Sequence, residues 1–79
     1  MTNLEKYTQT FTTTFNIVPE QTSDLKYQDI KEWDSVGHMQ LIAAIEDAFD
    51  IMMDTDDIID LSSFEKGKEI LKKYDVEIG

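Results

Sequence analysis

Apolar residues recur at the spacing of an α-helix in three stretches of this chain, and no stretch alternates with the two-residue period of a β-strand. The first stretch predicts a helix over residues 3–16, the clearest one over residues 35–50, and the last one after Ser62. Before the last stretch, Thr55 can cap a short helix over residues 56–60. The sequence therefore predicts an all-α fold with three main helices and one short helix.

The helix over residues 35–50 has two apolar faces. The face expected to contact the core contains His38, Leu41, Ile42, Ile45, Ala48 and Phe49. A smaller strip, expected to face outward among acidic side chains, contains Val36, Met39 and Ala43.

In the last helix, Ser62 and Glu65 match a capping box. The apolar face of that helix is expected to contain Phe64, Gly67, Ile70, Leu71 and Tyr74.

A long polar connection over residues 17–34 separates the first two helices. A connection of this length in so small a domain is expected to be pinned to the helices or to be functional itself. Its apolar residues, which can dock at intervals, are Leu25, Tyr27, Ile30 and Trp33. A short turn of helix is possible near Ser23-Asp24.

Length and composition restrict the class of protein. A chain of 79 residues fits a single domain, taken as residues 1–79. It has no cysteine, and therefore neither disulfides nor thiol chemistry of its own. It lacks a basic start followed by an apolar run, and no apolar run in it is long enough to span a bilayer. We therefore expect a cytoplasmic protein without membrane insertion.

The charge of the chain is strongly acidic. Seventeen acidic residues face seven lysines, for a formal charge of -10. From Glu32 to Glu65 there are ten acidic residues and no Lys or Arg. Such a chain is repelled by nucleic-acid backbones. The acidic run is either a solvated surface or a docking face for basic partners.

Two kinds of chemistry are disfavoured by the residue pattern. Ser35 and His38 could be neighbours on one helix, but nothing suggests the third group and the oxyanion hole that a hydrolase needs. His38 lies on the line of core positions and is expected to pack at the edge of the core. For calcium, Asp54, Asp56 and Glu65 match three places of an EF-hand loop. The fifth place of such a loop needs an oxygen ligand and the sixth needs a glycine for the turn. These places are Ile58 and Ile59, so the segment is not an EF-hand loop. No metal site is predicted.

Ser35 is the remaining candidate. It opens the clearest helix, where it can serve as the N-cap, with Asp34 as the rival cap. Alternatively, a displayed serine without a base to activate it is an attachment point for a group that another enzyme installs.

The segment Asp34-Ser35-Val36, opening a helix that continues with Met39, Leu41-Ile42, Ile45-Glu46-Asp47 and Phe49-Asp50, resembles the acyl carrier proteins. The resemblance covers nearly the whole chain and implies a four-helix carrier-protein bundle with a long loop between the first and second helices. In that family the serine is esterified by 4′-phosphopantetheine, whose thiol holds an acyl group as a thioester.

The resemblance also implies roles for individual residues. Ser35 is the attachment site, and Asp34 is the acidic neighbour that the modifying enzyme expects. The residues implied to contact partner enzymes are Val36, Met39, Ala43, Asp47, Asp50, Asp56, Asp57 and Asp60. The residues implied to line a space that can shelter the acyl chain are Ile45, Phe49, Met53, Ile58, Leu61 and Ile70; ordinary core packing is the alternative for these six.

The function implied is that of a stand-alone, monomeric acyl carrier protein and not an enzyme, acting in a fatty-acid, polyketide or other specialised biosynthetic pathway. Its partners would be a phosphopantetheinyl transferase, a loading ligase or acyltransferase, and a downstream synthase or transferase. Trp33, Gly37 and His38 depart from the fatty-acid carriers and look more like carriers of specialised pathways. The alternatives are an aminoacyl (D-alanyl or peptidyl) carrier and an unmodified acidic interaction module.

Overall fold

Helices account for all of the regular secondary structure in residues 1–78, the part of the chain that the computed structural model describes. The order of elements is α1 (Asn3–Phe15), a 3₁₀ turn (Pro19–Gln21), α2 (Ser35–Phe49), α3 (Thr55–Asp60) and α4 (Phe64–Lys72). No strand is present in this part of the chain; Lys26 and Ser63 form an isolated bridge. The prediction of an all-α fold with three longer helices and one short helix is confirmed.

The ends of α1 and α2 have local causes. Thr2 and Glu5 form a capping box at the start of α1, because each side chain accepts from the backbone N–H of the other residue. Asn16 and Asp50 end the two helices in the left-handed conformation, with φ of 55° and 53°. Both helices therefore end one residue before the predicted boundary.

An aromatic cluster holds the helices together. Phe11 of α1 makes edge-to-face contacts with Tyr7, Trp33 and Phe64, with ring centroids 4.9 to 5.5 Å apart. The buried Tyr7 hydroxyl donates to the carbonyl oxygen of Phe64 at 2.6 Å, which ties α1 to α4. A Cβ on Gly67 would overlap that hydroxyl, so glycine is required there.

The long connection is pinned to the bundle, as its apolar residues predict. Leu25 and Trp33 are buried, Ile30 is half-buried, and Tyr27 lies at the surface. Two backbone hydrogen bonds, Tyr27 N–H to Ser62 O at 2.8 Å and Phe64 N–H to Leu25 O at 2.9 Å, fasten the connection beside α4. The connection is therefore an ordered layer over the helices.

No helix forms at Ser23-Asp24: residues 22–25 make a single turn, closed by a hydrogen bond from Leu25 N–H to Thr22 O at 3.0 Å, and the 3₁₀ turn of the connection lies over residues 19–21. Pro19 is the first residue of that turn, where its fixed φ favours helical geometry and its missing N–H costs nothing.

Two predicted helix caps also differ from the structure. Ser63, not Ser62, caps α4, and its hydroxyl accepts from Lys66 N–H at 3.0 Å. Ser62 cannot start the helix because its carbonyl pairs with the connection. Thr55 is the first residue of α3, and Asp54 occupies the cap position without a side-chain hydrogen bond.

No helix within residues 1–78 is both long and apolar enough to cross a bilayer.

Candidate functional site

Ser35 lies at the surface as the first residue of α2, the longest helix. Asp34 is the N-cap: its backbone is extended and its Oδ1 accepts from Gly37 N–H at 2.8 Å. The carbonyl of Asp34 accepts from His38 N–H at 2.7 Å. Of the two candidate caps the structure selects Asp34, and the Ser35 hydroxyl makes no hydrogen bond to any residue of 1–78.

The residues around Ser35 fix the position of this helix start. Trp33 is fully buried, stacked on Phe15 with ring centroids 5.3 Å apart. Gly37 is also buried, and a Cβ at this position would overlap the carbonyl oxygen of Glu32. The glycine thus lets the connection pass directly over the first turn of α2. An exposed hydroxyl is carried on a rigidly held helix end.

His38 joins three segments through its imidazole ring. The indole Nε1–H of Trp33 donates to His38 Nδ1 at 2.9 Å, and the two ring planes are nearly parallel, at an angle of 13°. An indole nitrogen can only donate, so Nδ1 is the acceptor and the ring is the neutral Nε2–H tautomer. Nε2–H then donates to the carbonyl of Ile58 on α3 at 2.7 Å. The half-buried ring is at the edge of the core, as predicted, and both nitrogens are occupied.

The outward strip of α2 is confirmed. Val36 and Met39 are 65% and 54% exposed, and Ala43 is exposed as well. The acidic residues that lie exposed on α2, at its end and on α3 are Asp47, Asp50, Asp56 and Asp60. Small apolar side chains therefore occur on the same exposed segments as carboxylates.

Asp57 is a correction to the predicted contact residues. It is only 5% exposed, and its carboxylate accepts from Lys73 Nζ at 2.8 Å and from the Tyr74 hydroxyl at 2.6 Å. These hydrogen bonds, that from Lys73 above all, hold the pKa of Asp57 below its ordinary value. Asp57 fastens α3 to the end of α4 and is not available to a partner.

The six residues expected to line an acyl space belong to the packed core. Ile45, Met53, Leu61 and Ile70 are buried, and Phe49 and Ile58 are half-buried against them. Their packing agrees with the ordinary core alternative.

No family model, no curated protein and no solved structure matches this chain.

The sequence analysis missed two exposed apolar residues. Met52, between α2 and α3, is 87% exposed, and Ile59 on α3 is 71% exposed. The sequence pattern does not distinguish Ile59 from Ile58, because adjacent apolar residues of a helix can both face the core, as Leu41 and Ile42 do. Within residues 1–78, no three acidic or histidine side chains are grouped as they would be around a metal ion.

Proposed function

We propose that this chain is an acyl carrier protein, a four-helix carrier domain whose Ser35 hydroxyl is the attachment point of 4′-phosphopantetheine. The observation that carries the proposal is the division of roles at the start of α2: Asp34 caps the helix, and the exposed Ser35 hydroxyl has no partner within residues 1–78. A serine that is not needed as a cap, yet lies on a fixed helix end, is suited to modification.

The start of α2 fits a phosphodiester. The first N–H groups of a helix lack partners inside the helix, and the helix dipole favours negative charge there. Asp34 takes the N–H of Gly37, while those of Ser35 and Val36 have no acceptor within residues 1–78. These two amides and the Ser35 oxygen would hold the group. When bound, it supplies the thiol that the chain lacks, for thioester formation.

The chain brings the hydroxyl but no base. In the transfer, the Ser35 oxygen forms a bond to the phosphorus of coenzyme A that bears pantetheine and loses its proton. The phosphoanhydride bond breaks, and adenosine 3′,5′-bisphosphate leaves. Both His38 nitrogens are already hydrogen-bonded, and the Asp34 carboxylate holds a backbone N–H. We therefore assign the proton acceptor to the transferase.

The surroundings of Ser35 suit successive enzyme partners. Val36, Met39 and Ala43 offer a small apolar strip, and the nearby exposed carboxylates favour partners with basic residues around an apolar centre. Electrostatic steering raises the association rate, and a small contact area permits release, which a shuttle between a loading ligase or acyltransferase and a downstream synthase or transferase requires.

The test is the intact mass of the protein after incubation with coenzyme A, Mg²⁺ and a broad-specificity phosphopantetheinyl transferase. We expect a gain of one phosphopantetheinyl group in the wild type and none in Ser35→Ala. Ser62→Ala, which removes another exposed serine, is the matched control and should be modified like the wild type.

A folded wild-type protein that gains no mass, also with transferases dedicated to other carriers, would contradict the proposal. The acidic chain would then be an unmodified interaction module. If modification occurs, loading assays with fatty acids and with amino acids separate an acyl carrier from an aminoacyl carrier.

A further inference from the structure

The hydrogen bond from His38 to Ile58 has a special place in the fold. Within residues 1–78 it is the only hydrogen bond between α2 and α3. Helix α3 has six residues and no side-chain cap, and a helix this short has little stability of its own. The Asp57 network fastens α3 to the end of α4, but the position of α3 relative to α2 depends on its buried contacts and on this bond.

The residue after Ile58 is the exposed Ile59. On α2, the residue after His38 is the exposed Met39, in the outward strip that begins beside Ser35. The His38–Ile58 bond thus joins the backbone that carries Ile59 to the helix that carries Ser35. On its other side, the His38 ring accepts a hydrogen bond from Trp33, which precedes Asp34-Ser35.

We propose that His38 is a positioning residue: through Nε2–H it holds α3, and with it Ile59, where a phosphopantetheinyl transferase that modifies Ser35 contacts both helices. This inference rests on the proposed function. Both ring nitrogens of His38 are hydrogen-bonded, to Trp33 and to Ile58, so neither is free to take part in the reaction of Ser35.

Two conservative variants separate the two bonds of the ring. The side-chain amide nitrogen of His38→Gln lies as many bonds from Cβ as Nε2 does, so it can still donate to Ile58. The side-chain oxygen of His38→Asn corresponds to Nδ1, so it can still accept from Trp33. His38→Phe keeps a ring and loses both bonds. If α3 is what matters, Gln rescues and Asn does not.

Tyr7→Phe is the matched control for loss of stability. It removes one buried hydrogen bond, from the Tyr7 hydroxyl to Phe64 O, which joins α1 to α4 away from the site. All variants are assayed at a temperature at which circular dichroism shows them fully folded.

The measurement is kcat and KM of the transferase for each carrier variant. We expect His38→Phe and His38→Asn to raise the KM of the transferase for the carrier by about tenfold and to leave kcat unchanged. A tenfold change corresponds to the net free energy of roughly one hydrogen bond, here the bond that positions α3. His38→Gln and Tyr7→Phe should keep the KM of the wild type. A KM for His38→Phe equal to that of Tyr7→Phe, or no rescue by Gln, would overturn the inference.

The exchange rates of the α3 backbone amides with deuterated water provide a second readout that needs no transferase. Exchange in α3 should accelerate in His38→Phe and His38→Asn but not in His38→Gln or Tyr7→Phe. Wild-type protein that is never modified refutes the proposed function; unchanged α3 exchange in His38→Phe refutes the positioning role whether or not Ser35 is modified.

Discussion

Asp57 on α3 and Lys73 after α4 form an ion pair in which Nζ lies 2.8 Å from Oδ1. The Tyr74 hydroxyl donates to Oδ2 of Asp57 and accepts from Asp54 N–H at 2.9 Å. One hydrogen-bond network therefore joins the first turn of α3 to the residues that follow α4. The Asp57 side chain is almost entirely covered, while the Lys73 side chain is 64% exposed. The network therefore buries the carboxylate of Asp57, whose negative charge is compensated by Lys73 just after α4.

Replacing Asp57 with Asn tests the pH dependence of this contact. The hydrogen bond from Lys73 holds the folded-state pKa of Asp57 below its ordinary value of 3.8. A lowered folded-state pKa means that the unfolded chain takes up the proton first as the pH falls. The stabilisation is thus fully present above the ordinary pKa and is lost as the pH falls through the folded-state pKa.

We therefore expect Asp57→Asn to unfold at a lower temperature than the wild type at pH 7, and the difference to shrink in acid. The difference in unfolding temperature is measured by thermal unfolding at pH 7 and at acidic pH. Asp56→Asn, at the exposed neighbouring position, is the control and should leave the unfolding temperature at pH 7 unchanged or raise it. A constant difference between the wild type and Asp57→Asn down to low pH would contradict the assignment.

Gly37→Ala should destabilise the protein although alanine favours helices. The added Cβ would overlap the Glu32 carbonyl, and the displaced connection carries the buried Trp33. Overpacking of this kind costs about 1–3 kcal/mol, more than the helix propensity of about 1 kcal/mol that alanine returns. Urea denaturation measures the free energy of unfolding. Gln40→Ala, exposed on the same helix, should be neutral, and a Gly37→Ala protein more stable than the wild type would refute the close approach.

Replacement by alanine should destabilise the protein at Asp34 but not at Ser35. Asp34→Ala removes the cap of α2 and should lower the free energy of unfolding by about 1 kcal/mol. Ser35→Ala should change it by less than about 0.5 kcal/mol, because the serine is exposed and caps nothing. Chemical denaturation of both variants checks the pair; equal losses would mean that both residues stabilise the helix start.

Salt should stabilise the unmodified protein. At about 0.01 M salt the screening length is about 30 Å, so the ten acidic residues from Glu32 to Glu65 repel one another across the domain; at about 0.15 M it is about 8 Å. The melting temperature should rise over this range. The double variant Asp47→Asn, Asp56→Asn should rise less, and a wild type indifferent to salt would show that the acidic residues are compensated.

The helices could be predicted because their causes are local. The spacing of apolar residues in α1 and α2 predicts both helices to within a residue, and it separates the buried Leu41 and Ile45 from the exposed Val36 and Met39. Each of these assignments depends only on neighbours within a few turns.

The misses concern contacts between distant residues. Asp57 looks like its exposed neighbours in the sequence, and only Lys73 and Tyr74, 16 and 17 residues later, explain its burial. Ser62 looks as good a cap as Ser63, until Tyr27 pairs with its carbonyl. The two partners of His38 were equally invisible, since Ile58 contributes a backbone oxygen that carries no sequence signal.

Because Asp34 caps α2, the folded domain does not depend on whether the Ser35 hydroxyl is free. Since the hydroxyl of Ser35 is not part of the hydrogen bonds that close α2, esterifying it breaks none of them. Bare and loaded copies would then share one scaffold with the same outline. An enzyme that distinguishes them would have to contact the appended arm itself, because the folded domain would have the same structure in both.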